Sequence, residues 1–92
     1  MLIAFDPEKN ERNVRQRDLR FERAAEFDFA NANVFVDSRK DYGVDRYIAI
    51  GYLQGRLHVL CFTETAVGIR VISFRKANDQ EVKFYAKVQI AD

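Results

Sequence analysis

Three apolar, strand-like segments follow one another with only short connections between them, and this run constrains the fold more than any other feature. The segments span residues 46–51, 57–63 and 69–75 and are rich in branched and aromatic side chains, which favour strands. Turn residues at the breaks between them are supplied by Gln54-Gly55 and by the segment around Gly68. Because short connections join neighbouring strands, the sequence predicts an antiparallel meander. The middle segment is apolar on both faces, which is typical of a central strand covered on both sides.

Helices are predicted on either side of the meander. Asp6-Pro7 is a capping residue followed by proline at the first helical position, and it predicts a helix that ends near residue 17. A short helix over residues 19–27 and a short strand over residues 34–36 come next, while residues 1–5 form either a strand or a plug on the core. A chain of 92 residues is long enough for a single domain, which would combine the meander with N-terminal helices and one C-terminal helix.

The last strand runs almost directly into the C-terminal helix, and polar residues collect at this corner. Asn78 can cap the helix, and Glu81 follows at the spacing of a capping box. Tyr85 lies one turn later on the same helix face as Glu81. Strand alternation places Arg70 and Arg75 on opposite faces, so one flat site could use both only where the strand twists or ends. We therefore expect Arg75, at the end of the strand, to lie nearer to the chemistry.

The composition argues against several classes of protein. A net charge of +1 does not favour a nucleic-acid binder that works through overall charge. His58 and Cys61 are the only residues of their types and point to opposite faces of a strand, so we expect no metal site and no cofactor. A lone strand histidine is more often structural than catalytic, and His58 is expected to be structural. A single cysteine, no signal peptide and no apolar run of about 20 residues predict a cytoplasmic protein without a membrane segment.

The remaining polar residues are cations, carboxylates and a tyrosine, a set that suits phosphodiester chemistry. Fixed cations can stabilise the negative charge that gathers in the transition state. RNA brings its own nucleophile, the 2′-hydroxyl, so an enzyme needs only a proton acceptor, a proton donor and charge stabilisation. Arginine cannot readily accept a proton at neutral pH. Glu81 or Tyr85 is therefore the better candidate for proton transfer, and the sequence leaves the choice between them open. Lys9 and Arg17, on one helix stripe without acidic partners at that spacing, are candidates for phosphate binding.

Several stretches, taken in order, resemble the BrnT family of ribonuclease toxins from type II toxin–antitoxin systems. They are FDPEKNERNVR, FERAAEFDF, DYGVDRYIAIG, GRLHVLCFTE and IRVISFRKANDQEVKFY, and they cover nearly the whole chain. The most specific parts are Asp41-Tyr42-Gly43 with Arg46, and Ile69-Arg70 through Arg75-Lys76-Ala77 with Glu81 and Tyr85.

The resemblance implies an α+β, RelE-like fold in one toxin domain over residues 1–92, in which the N-terminal helices and the C-terminal helix pack on a small twisted antiparallel sheet of three to four strands. It implies an endoribonuclease that needs no metal and inhibits translation by cleaving RNA. It also implies a cognate BrnA-like antitoxin that neutralises the toxin and carries the DNA-binding domain, so that operator DNA is reached only through the antitoxin. The candidate catalytic residues are Arg70, Arg75, Glu81 and Tyr85, and the candidate substrate-binding residues are Arg46, Lys76, Lys9 and Arg17.

The chain departs from the family pattern at several positions. Residues 16–18 are Gln-Arg-Asp where the family usually has Lys-His-Gly, so the histidine is lost and a cation remains at Arg17. Val44 replaces an acidic residue, Thr65 an arginine and Phe74 a small residue. These changes support an alternative hypothesis, in which the chain is a catalytically weak or inactive protein-binding module that retains the antitoxin interface.

Overall fold

A five-stranded mixed sheet forms the centre of the computed structural model, which describes residues 1–91. Along the chain the elements are β1 (Leu2–Ala4), α1 (Pro7–Arg17), a 3₁₀ helix (Phe21–Glu26), β2 (Asn33–Val36), β3 (Tyr47–Leu53), β4 (Arg56–Thr65), β5 (Gly68–Lys76) and α2 (Asp79–Ala91). The strand order is β1-β5-β4-β3-β2. Within residues 1–91, no helix is both long and apolar enough to cross a membrane.

The α+β class is confirmed, but the prediction of three to four antiparallel strands was wrong. Strands β3, β4 and β5 form the expected meander, and β2 pairs antiparallel with β3. The N-terminal residues add β1, which pairs in parallel with β5 and places Ala4 opposite Arg70. A parallel pair needs a long connection, and here α1 and every element up to β4 lie between the two strands. A strand of three residues shows no alternation of its own that could have revealed this pairing.

Helix α1 is held against the sheet by polar contacts. Asp6 caps it by accepting a hydrogen bond from the Glu8 backbone at 3.0 Å, as Asp6-Pro7 predicted. The only buried residue of α1 is Asn13, whose Nδ2 donates to the carbonyls of Leu19 at 2.9 Å and Phe74 at 3.0 Å. Because Phe74 belongs to β5, this contact fixes the C-terminal half of α1 beside the last strand. The helix can therefore be almost entirely polar.

Two apolar clusters lie on opposite faces of the sheet. The larger packs under the 3₁₀ helix and contains Leu19, Phe21, Ala24, Phe27, Ala49, Leu53, Leu60, Phe62, Ile69, Val71 and Phe74. The smaller lies on the α2 side and contains Ile50, Leu57, Val59, Ala77 and Tyr85. Strand β4 contributes to both clusters, which confirms the prediction of a central strand covered on both faces.

A β-bulge at Ile72 changes which way the two arginines of β5 face. The register with β4 skips Ile72, so that Arg70 lies opposite Thr63 and Arg75 lies opposite Val59. Val59 and Thr63 are an even number of residues apart on one strand and share its face, and so do the two arginines. The expectation of opposite faces was wrong because one extra residue shifts the two-residue period of a strand. Both arginines lie on the α2 side of the sheet.

Candidate functional site

Two cavities meet at the C-terminal end of β5, and Arg75 lines both. The first, which we call the α2 groove, has a volume of about 650 Å³. It is lined by Phe35, Arg39, Arg46, Ile48, Ile50, Val59, Cys61, Ile72, Ser73, Arg75, Asn78, Gln80, Glu81 and Phe84. The second, which we call the basic pocket, has a volume of about 700 Å³. It is lined by Arg15, Gln16, Arg17, Asp18, Leu19, Arg23, His58, Arg75 and Lys76.

Arg75 and Glu81 form a two-pronged ion pair at the rim of the α2 groove. The Nη1 and Nη2 atoms of Arg75 donate to the two carboxylate oxygens of Glu81 at 2.8 and 2.9 Å. The predicted capping box is confirmed, because the Glu81 carboxylate accepts from the Asn78 backbone N–H at 2.9 Å and the Glu81 backbone N–H donates to Asn78 Oδ1 at 2.8 Å. The cap therefore fixes Glu81, which in turn fixes the guanidinium of Arg75.

This pairing sets the protonation of both groups. The hydrogen bonds from Arg75 lower the pKa of Glu81, while those to Glu81 raise the pKa of Arg75. At neutral pH the pair is therefore fully charged. The Nε atom and the second N–H of Nη2 on Arg75 have no partner among residues 1–91, so they remain free to donate to a ligand.

The loop between β2 and β3 presents Arg46 to the same groove. The Cζ atom of Arg46 lies 3.8 Å from the centre of the Tyr42 ring, a stacked arrangement favourable for a cation. The side chain of Asp37 holds the loop together by accepting from Arg39 Nε and Nη2, both at 2.8 Å, and from the Tyr42 hydroxyl at 3.4 Å. The hydrogen bonds from Arg39 lower the pKa of Asp37 from 3.8 to about 2. The sequence reasoning missed Asp37, because an aspartate two residues before an arginine is too common to stand out.

Two of the predicted catalytic residues line neither cavity. Arg70 is exposed on the same face as Arg75 but lies five residues away along β5, roughly 15 Å at the rise of a strand. Tyr85 is buried, and its hydroxyl donates to the carbonyl of Asn31 at 2.8 Å. Burial raises the pKa of Tyr85, so the phenol stays protonated. The ring packs edge-on against Tyr52 within the smaller apolar cluster. Only Arg75 and Glu81 of the four come together.

The predicted substrate-binding residues separate into two places. Arg46 lines the α2 groove, whereas Arg17 and Lys76 join Arg75 in the basic pocket. Asn13 Oδ1 accepts from Arg17 Nη1 at 2.7 Å, so the contact that anchors α1 also positions this cation. Lys9 is exposed and lines neither cavity.

His58 lines the basic pocket, although the sequence predicted only a structural role for it. It is buried on β4 directly opposite Lys76 of β5. Its Nδ1 atom is 2.8 Å from the carbonyl of Arg56, and because a carbonyl only accepts, the proton of the neutral ring lies on Nδ1. Burial lowers the pKa of His58. The register that brings His58 beside Lys76 depends on long-range strand pairing, so no local signal could have revealed this neighbourhood.

The charged side chains of this region are cations and two carboxylates, Asp18 and Glu81. Within the part of the chain that the structure describes, no group of three or more His, Cys, Asp and Glu side chains is arranged to hold a metal ion. Fixed guanidinium and ammonium groups can neutralise a phosphate and stabilise the charge that develops when it reacts. The arrangement therefore fits the binding of a polyanion with apolar or aromatic parts.

Comparison with known proteins identifies the family. The sequence matches no functionally curated protein. The family model described as a ribonuclease toxin, BrnT, of type II toxin–antitoxin systems matches residues 5–81. The matched region begins just before the cap of α1 and ends at Glu81, so it includes the Arg75–Glu81 pair and most of the lining of both cavities. This chain belongs to the BrnT family of type II ribonuclease toxins.

Proposed function

We propose that this chain is a metal-independent endoribonuclease with a RelE-like fold, which cleaves RNA at the end of β5 and thereby inhibits translation. The observation that supports this proposal is the position of Arg75 on the border between two chemically different cavities. The α2 groove carries aromatic side chains, and the basic pocket carries cations. Single-stranded RNA needs both kinds of surface, since its bases stack on aromatic rings and its phosphates pair with cations.

In this proposal Arg75 binds the scissile phosphate and stabilises the charge of the transition state. Glu81 holds its guanidinium through two hydrogen bonds, so the free donors of Arg75 are already oriented when the substrate arrives. Phe35 and Phe84 pack edge to face, with ring centres 6.4 Å apart, and both are exposed enough to contact a base. Arg46 lies in the same groove and would bind a neighbouring part of the substrate.

Glu81 is the proton acceptor that we propose, because it lies in the groove and is ionised at neutral pH, whereas Tyr85 is buried and lines neither cavity. The lowered pKa of Glu81 also makes it a weak base. Slow cleavage at neutral pH is therefore expected. This consequence agrees with the departures from the family pattern noted in the sequence.

The partner that we propose is a BrnA-like antitoxin that covers this region. It would place acidic residues against the site cations and apolar residues against Phe35 and Phe84, which are 42% and 46% exposed. Operator DNA would be reached only through the DNA-binding domain of that antitoxin. Silencing of the toxin then follows from occupation of the α2 groove.

A matched pair of variants tests the proposed site. Arg75→Ala is expected to lower RNA cleavage by about a hundredfold or more, the usual effect of losing one transition-state donor. Arg70→Ala removes the same side chain from the same strand and face but outside both cavities, and it should change cleavage by no more than a few-fold. The measurements are cleavage of a defined RNA by purified protein and growth arrest on induction, with folding checked by circular dichroism. Equal cleavage by folded Arg75→Ala and wild-type protein contradicts the proposal.

One observation favours the alternative of an inactive protein-binding module. The charge of Arg75 is already matched by Glu81, which weakens its attraction for a phosphate. A module of this kind would bind the antitoxin tightly while the wild-type protein neither cleaves RNA nor arrests growth. Those two readouts, taken on the same preparation, separate the alternative from a slow enzyme.

A further inference from the structure

We propose that the basic pocket binds a second phosphate group of the substrate, next to the one at Arg75, and that His58 takes part in this site through its Nε2 atom. The identity of the ligand as an RNA phosphate rests on the proposed function. The affinity of the pocket for phosphate follows from its own residues and can be tested without RNA cleavage.

The pocket has more cationic charge than its own acidic groups neutralise. Of the residues that line it, only Asp18 is acidic. Arg15, Arg23 and Arg75 each contact a carboxylate, on Glu11 at 4.0 Å, Glu26 at 3.5 Å and Glu81 at 2.8 Å. Arg17 and Lys76 have no carboxylate within ion-pair distance among residues 1–91. A concave surface with unmatched cations concentrates positive potential, which attracts small anions.

The position of His58 gives the pocket a second feature that points to a ligand. His58 is only 5% exposed, and its Nδ1 donates a hydrogen bond to the Arg56 carbonyl. The Nε2 atom has no hydrogen-bond partner among the described residues, and the surrounding protein does not fully enclose it. Buried polar groups are normally satisfied, so an open Nε2 in a cationic pocket is a position for a ligand atom or a water molecule.

Phosphate binding and protonation of His58 should favour each other. The charged and titratable groups around the ring come from four elements: Arg15, Arg17 and Asp18 at the end of α1, Arg23 of the 3₁₀ helix, Arg56 of β4, and Arg75 and Lys76 of β5. Burial is the main cause that lowers the pKa of His58, and the charges of Lys76, Arg23 and Arg56 add to it. A phosphate in the pocket would offset those positive charges and accept a hydrogen bond from Nε2 of the protonated ring. Linkage then requires that bound phosphate raise the pKa of the ring.

The experiment uses the fact that His58 is the only histidine of the chain. The imidazole C–H signals of the full chain are followed by NMR from pH 5 to 8, with inorganic phosphate added at constant ionic strength against a chloride reference. We expect a saturable shift of the His58 signals and a higher His58 pKa in the presence of phosphate. Arg17→Gln and Lys76→Gln should each weaken phosphate binding by about tenfold, the scale of one charge-assisted hydrogen bond. Arg12→Gln, on the exposed side of α1, is the matched control and should bind as wild type does.

Two results overturn the phosphate site. The first is a His58 signal that responds to phosphate no more than to chloride, and the second is an equal response in Arg17→Gln, Lys76→Gln and wild-type protein. Both results come from the phosphate titration alone, so they can be observed whether or not the protein cleaves RNA. A saturable His58 response from a protein that does not cleave RNA leaves the phosphate site standing and contradicts only the proposed ribonuclease function.

Discussion

Replacing Asn13 tests how the polar helix α1 is held on the sheet. Asn13→Ala removes two donated hydrogen bonds, to the carbonyls of Leu19 and Phe74, and one accepted bond from Arg17. The residue is 4% exposed, so the two carbonyls lose their partner in a place that water reaches poorly. The variant therefore removes the one buried side chain by which α1 contacts β5.

The expected cost follows from these contacts. Each neutral hydrogen bond contributes about 1 kcal/mol to stability, and an unsatisfied carbonyl costs at least that much. The bond from Arg17 adds little because the arginine is exposed. Alanine favours a helix over asparagine by about 0.5 kcal/mol, which offsets part of the loss. We expect the free energy of unfolding to fall by about 2 kcal/mol, and the melting temperature of a chain of this size by roughly 10 °C.

Urea denaturation measures this change, with the dependence on denaturant expected to stay the same as in the wild type. Asn13→Leu retains side-chain volume but not the hydrogen bonds, and it should cost at least as much as Asn13→Ala. Arg12→Ala, on the exposed side of the same helix, should stay within about 0.5 kcal/mol of wild type. A loss below about 0.5 kcal/mol in both Asn13 variants would refute the reasoning, because α1 would then be held by something other than these polar contacts.

Three further outcomes are expected. Tyr85→Phe loses the hydrogen bond to Asn31 and should cost about 1 kcal/mol of stability while cleavage stays within a few-fold; a hundredfold loss of cleavage in the folded variant would return Tyr85 to the chemistry. The pKa of Asp37 falls from 3.8 to about 2 on folding, because its carboxylate accepts hydrogen bonds from Arg39. The stability that the ionised carboxylate adds to the folded protein is therefore complete above pH 4 and is lost as the pH falls through about 2. The melting temperature should therefore drop more steeply over that window in the wild type than in Asp37→Asn. The antitoxin should associate faster at low salt than at high salt and dissociate at a similar rate in both, since rim charges set association and a buried apolar centre sets residence time; a complex that raised salt dissociates without any change in association rate contradicts this division.

The features that the sequence predicted well depend on residues close to each other in the chain. The cap at Asp6, the capping box of Asn78 and Glu81, and the tight turn at Gln54-Gly55 each involve positions no more than three residues apart. Gln54 and Gly55 have φ values of 48° and 78°, which suits a two-residue hairpin turn between β3 and β4. Local hydrogen bonding and backbone sterics decide these geometries, so spacing and residue type suffice to predict them.

The features that were missed depend on pairing between distant segments. β1 pairs with β5 across most of the chain, and His58 lies opposite Lys76 only because of the register between β4 and β5. The role of Asn13 depends on a carbonyl 61 residues away. A polar helix and a lone histidine both suggest solvent exposure or structural filler when the neighbours are unknown. The roles of Asn13 and His58 depend on how distant strands pair, and this pairing cannot be read from composition or local spacing.

The bulge at Ile72 shows why a shared face does not by itself make a site. It places Arg70 and Arg75 on the same side of the sheet, yet the elements that surround Arg75 do not reach Arg70. The start of α2 brings Glu81, the end of α1 brings Arg17, and both arrive where β5 ends. The elements α1, α2 and β5 meet there for two reasons. The strand continues directly into the capped helix α2, and the Asn13 side chain of α1 donates a hydrogen bond to the carbonyl of Phe74 in β5. A site on the sheet face would need both arginines, whereas a site at the strand end needs only Arg75, and the Arg70→Ala control distinguishes these two geometries.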